Sequence, residues 1–196
     1  MMRMSDDGLA DLAVREGIVL APYLSGLPGD PWTWGIGHTV AAGAPDPATM
    51  PRAMPADPDA AIAAAIAQLR RDLAIYEARI NQRVTAPMTQ AQFDAFVSVD
   101  LNTGWAWYRT ASGAYRSATA IQRFNAGDTA GCADAFMFWC NPPVLAKRRA
   151  QEQALFLHGA YLTDPIGVYG TDGAGRRDKA PARTLARADF LRLARA

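Results

Sequence analysis

The apolar positions change their period along the chain, and each change marks an element. Leu9, Leu12 and Ala13 share one face of a helix that the spacing predicts over about residues 5–16, with Ser5 as its N-cap and Gly17 as its stop. Residues 18–25 and 32–36 are β-favouring runs separated by Gly26, Leu27, Pro28, Gly29, Asp30 and Pro31, a dense turn signal, so a β-hairpin is expected. Residues 41–58 carry five prolines and read as an irregular connection. Ile62, Ile66, Leu69, Leu73, Tyr76 and Ile80 then recur at helical spacing, which predicts a helix of about 25 residues.

The second half is helical throughout. Thr89 caps a helix whose stripe is Phe93, Phe96, Val97 and Leu101, ending at Asn102, Thr103 and Gly104. Ser117 opens another running to about Asn125, Asp128 one running to about Trp139, and Pro142 and Pro143 one that continues through Leu145, Arg148, Glu152 and Phe156. Beyond Thr163 the composition shifts to Gly, Asp and Arg, with a turn or short hairpin over 169–177 and a last helix over 184–195. The fold class is therefore α+β, mainly α. It comprises a small N-terminal hairpin subdomain (about 17–58), a long linking helix and a helical lobe (about 59–162), with 163–196 as a basic extension of the 1–162 domain. A cleft between hairpin and lobe is the expected ligand site.

Charge changes this picture only at the end. From Gly175 onward Arg176, Arg177, Lys179, Arg183, Arg187, Arg192 and Arg195 stand against Asp178 and Asp189, about +5, while the remainder is about −4. Such a tail is either a solvated helix face, as arginine runs commonly are, or binds an anionic wall or membrane polymer, so that removing 163–196 weakens wall association and leaves a folded core, or docks through Leu185, Phe190, Leu191 and Leu193. Basic charge alone does not establish nucleic-acid binding, and no nucleic-acid partner is expected. The first twelve residues carry Asp6, Asp7 and Asp11 with no apolar run after them, so neither a signal peptide nor membrane insertion is expected and the chain is placed in the cytoplasm. Cys132 and Cys140 read as reduced thiols, and with His38 and His158 they complete no tetrahedral ligand set; no metal and no cofactor are expected.

The candidate chemistry gathers around Glu16. A carboxyl in the last turn of a helix is either a solvated side chain or, in an apolar setting, a proton donor. Its neighbours give it context: Glu16-Gly17, Tyr23, and the run Thr33-Trp34-Gly35-Ile36-Gly37-His38-Thr39. Together they resemble the start of the phage-type (T4-like) lysozymes and endolysins, glycoside hydrolase family 24. Downstream, Asn102-Thr103-Gly104, Phe124-Asn125-Ala126-Gly127-Asp128, Trp139 and Arg148-Arg149 with Glu152 resemble further blocks of that family, so the similarity spans roughly Leu9 to Phe156.

The resemblance implies a lysozyme-like fold and a muramidase that cleaves the β-1,4 bond between N-acetylmuramic acid and N-acetylglucosamine. It implies a monomer with peptidoglycan as its partner, cytoplasmic until a holin releases it to the periplasm and wall. Glu16 would be the general acid, Thr33 would hold the attacking water, and Tyr23, Gly35, His38, Asn102 and Gly104 would face the glycan, with His38 reaching Glu16. Each has a plainer alternative: hairpin packing for Tyr23, Gly35 and Gly37, a structural histidine for His38, a helix C-cap for Asn102 and Gly104. Trp139, Arg149 and Glu152 are assigned to the core and its polar ties.

One position departs from the family. Its second acid lies nine residues after the Glu, and here that position is Ser25. The hairpin turn, longer by about two residues, brings in Asp30 three positions before Thr33, which either replaces the missing carboxylate or simply makes the turn. Two functions stand: an inverting hydrolase, or a lysozyme-fold protein that binds peptidoglycan and cleaves it weakly.

Overall fold

The computed structural model describes residues 1–24, 29–104, 119–172 and 174–195. The chain divides into two compact units, residues 9–72 with 163–196, and residues 1–8 with 73–162. Helices α1 (Asp6–Glu16) and α2 (Pro58–Arg83) each begin in one unit and end in the other. Mixed α and β with helix predominant, the architecture agrees with the class expected from the pattern.

The first unit is built on a sheet of β1 (Ile18–Tyr23), β2 (Thr33–Gly35), β3 (His38–Thr39), β4 (Ile166–Tyr169) and β5 (Arg183–Leu185), in the order β3-β2-β1-β4-β5. The predicted β1–β2 hairpin is present, and a second, tighter hairpin follows in which Trp34 pairs with His38. Pro22 has no N–H to offer a neighbour, and the pairing slips around it: Val19 faces Gly35 and Tyr23 faces Thr33, four residues on β1 against two on β2. The proline-rich connection holds two short 3₁₀ turns, Val40–Ala42 and Pro47–Thr49, the latter capped by the Asp46 carboxylate accepting from the Ala48 N–H. Ile62, Ala65, Ile66 and Leu69 of α2 are buried in this unit.

Residues 163–196 are not a loose appendage. β4 pairs in parallel with β1, Ile18 with Val168 and Val19 with Tyr169, which makes β1 the central strand. Ile166 and Val168 alternate inward, as the two-residue period of a half-buried strand requires. Thr184 and Leu185, expected in a helix, pair instead with Gly167 and Ile166. The helix α7 begins only at Arg187 (Arg187–Ala194) and buries Phe190 and Leu193.

The second unit contains α3 (Gln90–Thr103), α4 (Thr119–Asn125), α5 (Thr129–Phe136) and α6 (Ala146–His158). Thr89 and Gln92 form a reciprocal capping box at the start of α3, and Asp128 caps α5 by accepting from the Gly131 N–H. Ser117 lies outside the described residues. α5 stops at Phe136 and tightens into a 3₁₀ turn, Met137–Trp139, ahead of Asn141-Pro142, where an α conformation before proline is disfavoured. Phe96 centres the core, with Phe124, Phe136 and Phe156 edge-on at centroid distances of 5.5, 5.8 and 5.2 Å.

The N-terminal residues are fastened to this unit by Asp94, which is fully buried and accepts from the Ser5 N–H and hydroxyl, the Gln90 amide and the Tyr161 hydroxyl. Burial pushes the Asp94 carboxyl above its ordinary range, against the pull of those donors. Cys132 is buried and its thiol is pushed up to about 12 by the same effect, while Cys140 is half-buried; both are free thiols. Among the described residues no helix is long and apolar enough to cross a membrane.

Truncation before Thr163 would uncover β1 and remove Ile166, Val168, Leu185, Phe190 and Leu193, all buried. At about 1.5–3 kcal/mol for each buried side chain, the loss rivals the roughly 5–15 kcal/mol that stabilises a whole domain. The expectation that a core folds without 163–196 is therefore reversed: the truncated chain should lose the cooperative unfolding of the sheet unit, as read by urea denaturation followed through tryptophan fluorescence.

Candidate active site

α1 ends at Glu16 because Gly17 takes a left-handed conformation, φ +72°, that a residue with a Cβ rarely adopts. Its N–H still donates to the Ala13 carbonyl at 2.9 Å, so the helix closes and turns at once into β1. The turn before it is tied by Arg15, whose Nε donates to Asp11 at 2.8 Å in a buried pair. A side chain at position 17 would meet the Tyr169 ring, 2.8 Å from Cε2 to the place of a Cβ, so the ring packs against the glycine. Glu16 itself is half-buried.

The slipped pairing of β1 sets Tyr23 opposite Thr33. The Thr33 hydroxyl donates to the Pro31 carbonyl at 3.3 Å, a long bond on a half-exposed side chain. Burial suppresses ionisation of the Tyr23 phenol, the Arg177 cation opposes that shift, and the Glu16 carboxylate adds to it, so Glu16 and Arg177 both lie within electrostatic reach of Tyr23. Asp30 is half-buried just ahead of Pro31, and Ser25 lies outside the described residues. Glu16, Tyr23, Thr33 and Asp30 thus belong to one unit, while Asn102 and Gly104 belong to the other.

The glycines and the histidine of the Thr-x-Gly-x-Gly-His run serve the fold. Gly35 is buried with φ +65°, and a Cβ there would sit 3.2 Å from that of Ala65, so its missing side chain admits α2. Gly37 is exposed with φ +77° and open space around it, as the β2–β3 turn requires. His38 is 1 % exposed. Its Nδ1 faces the Asp72 carboxylate at 2.9 Å and its Nε2–H donates to the Pro45 carbonyl at 2.7 Å. Gln68 donates to Asp72 at 2.7 Å and closes the group. The expectation that His38 reaches Glu16 or the glycan is corrected: both ring nitrogens are engaged within the interior.

Asn102 stands at the end of α3, exposed, with its Oδ1 accepting from Arg149. Arg149 is fully buried, pairs with the equally buried Glu152, and donates through Nε to the Trp139 carbonyl at 3.2 Å. Glu152 also accepts from the Ser98 hydroxyl at 2.6 Å and from Arg148 Nε at 3.1 Å. Gly104 is the C-cap of α3, φ +56°, its N–H donating to Asp100. These residues act as the polar ties that the sequence suggested, with Asn102 as the end of the chain that meets solvent.

With Glu16 at a helix end within electrostatic reach of Tyr23, the comparison with known proteins is direct: a family model described as phage lysozyme matches residues 13–152. The chain belongs to the phage lysozyme family. Among its relatives is the endolysin of Acyrthosiphon pisum secondary endosymbiont phage 1, 31% identical over 164 residues that cover 79% of this chain and 98% of the relative. The endolysin of Salmonella phage P22 is 32% identical, covering 80% of this chain and 99% of its own. Among solved structures, the endolysin from Escherichia coli O157:H7 phage FAHEc1 superposes with a TM-score of 0.64 at 28% identity, covering 82% of this chain and 97% of that one.

Sequence reasoning missed Tyr169 against Gly17, Arg177 within electrostatic reach of Tyr23, and Asp72 and Gln68 as partners of His38. The alternation in 166–169 was the available sign of a strand; its pairing with β1 has no local signature. The His38 group yields a prediction for this member of the phage lysozyme family: His38→Ala removes the imidazole from the Pro45 carbonyl and leaves Asp72 with Gln68 alone, and should cost about 2–4 kcal/mol of stability, measured by urea unfolding. At a temperature where the variant stays folded, turnover should be nearly that of the wild type, whereas a residue touching the glycan would lose turnover with the fold intact.

Proposed function

We propose that this chain is a muramidase of the endolysin type, hydrolysing the β-1,4 bond between N-acetylmuramic acid and N-acetylglucosamine in peptidoglycan. The observation that carries the reading is Glu16, held at the α1–β1 junction by Gly17 and Tyr169 in a chain whose family match runs across it. Glu16 protonates the glycosidic oxygen as the C1–O bond breaks, and the leaving sugar departs as an alcohol. Water adds to C1 from the opposite face, oriented by the Thr33 hydroxyl, and gives up its proton to a base.

The base we assign to Asp30, half-buried on the same hairpin as Thr33. For an inverting reaction its carboxyl must stand about 6.5–9.5 Å from that of Glu16, leaving room for the water. Ser25, at the position of the family's second acid, holds the water by hydrogen bonding without accepting its proton. Tyr23 borders the sugar beside Glu16, and Asn102 and Gly104 are assigned to glycan contact. The enzyme acts as a monomer without metal or cofactor and stays in the cytoplasm until a holin pore releases it to the periplasm and wall.

Ser25 favours one other reading, a lysozyme fold that grips peptidoglycan and cleaves it weakly. Clearing of purified sacculi separates them. Glu16→Gln should reduce the rate by about 10²–10⁴, and Asp30→Asn by a similar factor if Asp30 is the base. A wild type that clears nothing, paired with a Ser25→Asp variant that does, identifies the binding protein instead.

A further inference from the structure

The lysozyme-family match ends at residue 152, yet the ring packed on Gly17 and a cation beside Tyr23 come from the segment after it. We propose that Arg177 and Tyr169 form an added wall of the glycan site, in which the Arg177 guanidinium binds a carboxylate of the substrate. This inference rests on the muramidase reading and deepens it by naming a specificity residue.

The geometry is fixed by backbone. β4 runs parallel to β1 and sets Tyr169 beside Val19. The chain then loops out and returns: the Leu24 N–H donates to the Gly175 carbonyl at 2.9 Å, Leu24 bridges to Arg176 in parallel, and Arg177 bridges back to Thr171. Asp172 braces the loop by accepting from the Ala174 and Arg176 N–H groups at 3.0 and 2.9 Å and from the Arg176 side chain at 2.7 Å. Gly175 is packed so closely on Trp32 that a Cβ would lie 2.4 Å from the ring, which pins the loop to the hairpin.

Held in this way, the exposed Arg177 guanidinium lies 4.5 Å from the centre of the Tyr169 ring. That ring covers Gly17, one peptide from Glu16. An arginine stacked on an aromatic face keeps its donor edge free and loses little freedom on meeting a planar carboxylate, which it can hold by two hydrogen bonds. Arg177 and Glu16 both act electrostatically on Tyr23.

Peptidoglycan glycan offers carboxylates from two sources: the lactyl ether of muramic acid where the peptide has been removed, and the stem peptide where it remains. Neutral chitin oligosaccharides offer none. The test measures equilibrium binding of the full chain, in a Glu16→Gln background that stops turnover, to three probes. These are chitin oligosaccharide, peptide-stripped glycan oligomers, and the same oligomers carrying stem peptides.

Arg177→Gln should weaken binding of a carboxylate-bearing probe about tenfold or more and leave chitin oligosaccharide unchanged, with Arg177→Lys intermediate. A loss seen with stripped glycan identifies the lactyl group, and a loss seen only with peptide-bearing glycan identifies the stem peptide. Equal binding by the Gln variant and its parent to all three probes, or an equal loss on all three, overturns the assignment even if the wild type clears sacculi. A chain that binds none of the probes and clears no sacculi overturns the muramidase reading together with it.

Discussion

Glu16 depends on a single junction. α1 must stop within one residue and become the central strand of a sheet, and the left-handed Gly17 makes that turn. The glycine is fixed in turn by Tyr169, whose ring leaves no room for a side chain there, and Tyr169 is there because β4 pairs with β1. Position, conformation and packing therefore converge on one peptide. The parallel pairing also explains why the C-terminal segment cannot be treated as an accessory: it completes the sheet whose first strand begins at the proposed proton donor.

The helical unit solves a different problem. Arg149 and Glu152 are both removed from water, which is tolerated only when their remaining hydrogen-bonding capacity is used. Ser98, Arg148, the Trp139 carbonyl and Asn102 use it. The result is an exposed amide at the end of α3 whose orientation is set by a buried arginine.

The parts of the fold legible in the sequence were those governed by neighbours along the chain. Thr89 with Gln92, Asp128 ahead of α5, and the spacing from Ile62 to Ile80 state their helices within a turn or two. Glu16-Gly17 was legible for the same reason. What was missed is non-local: Ile18 meets Val168, and His38 meets Asp72, 34 positions away on α2. His38 shows the physical cause plainly. A histidine in a strand next to a candidate acid is equally consistent with a support for that acid or with a core ligand to its own fold, and only the position of the carboxylate on α2 separates the two.

Membership of the phage lysozyme family implies peptidoglycan lysis, and the proposal at its centre is that Glu16 breaks the muramyl bond. It is tested most directly by the identity of the new reducing ends. Purified peptidoglycan digested with the full chain, reduced with borohydride and analysed by mass spectrometry should yield muramitol, and digestion with Glu16→Gln should form it at least about a hundredfold more slowly. Glucosaminitol in place of muramitol, or muramitol undiminished in the variant, would contradict the account.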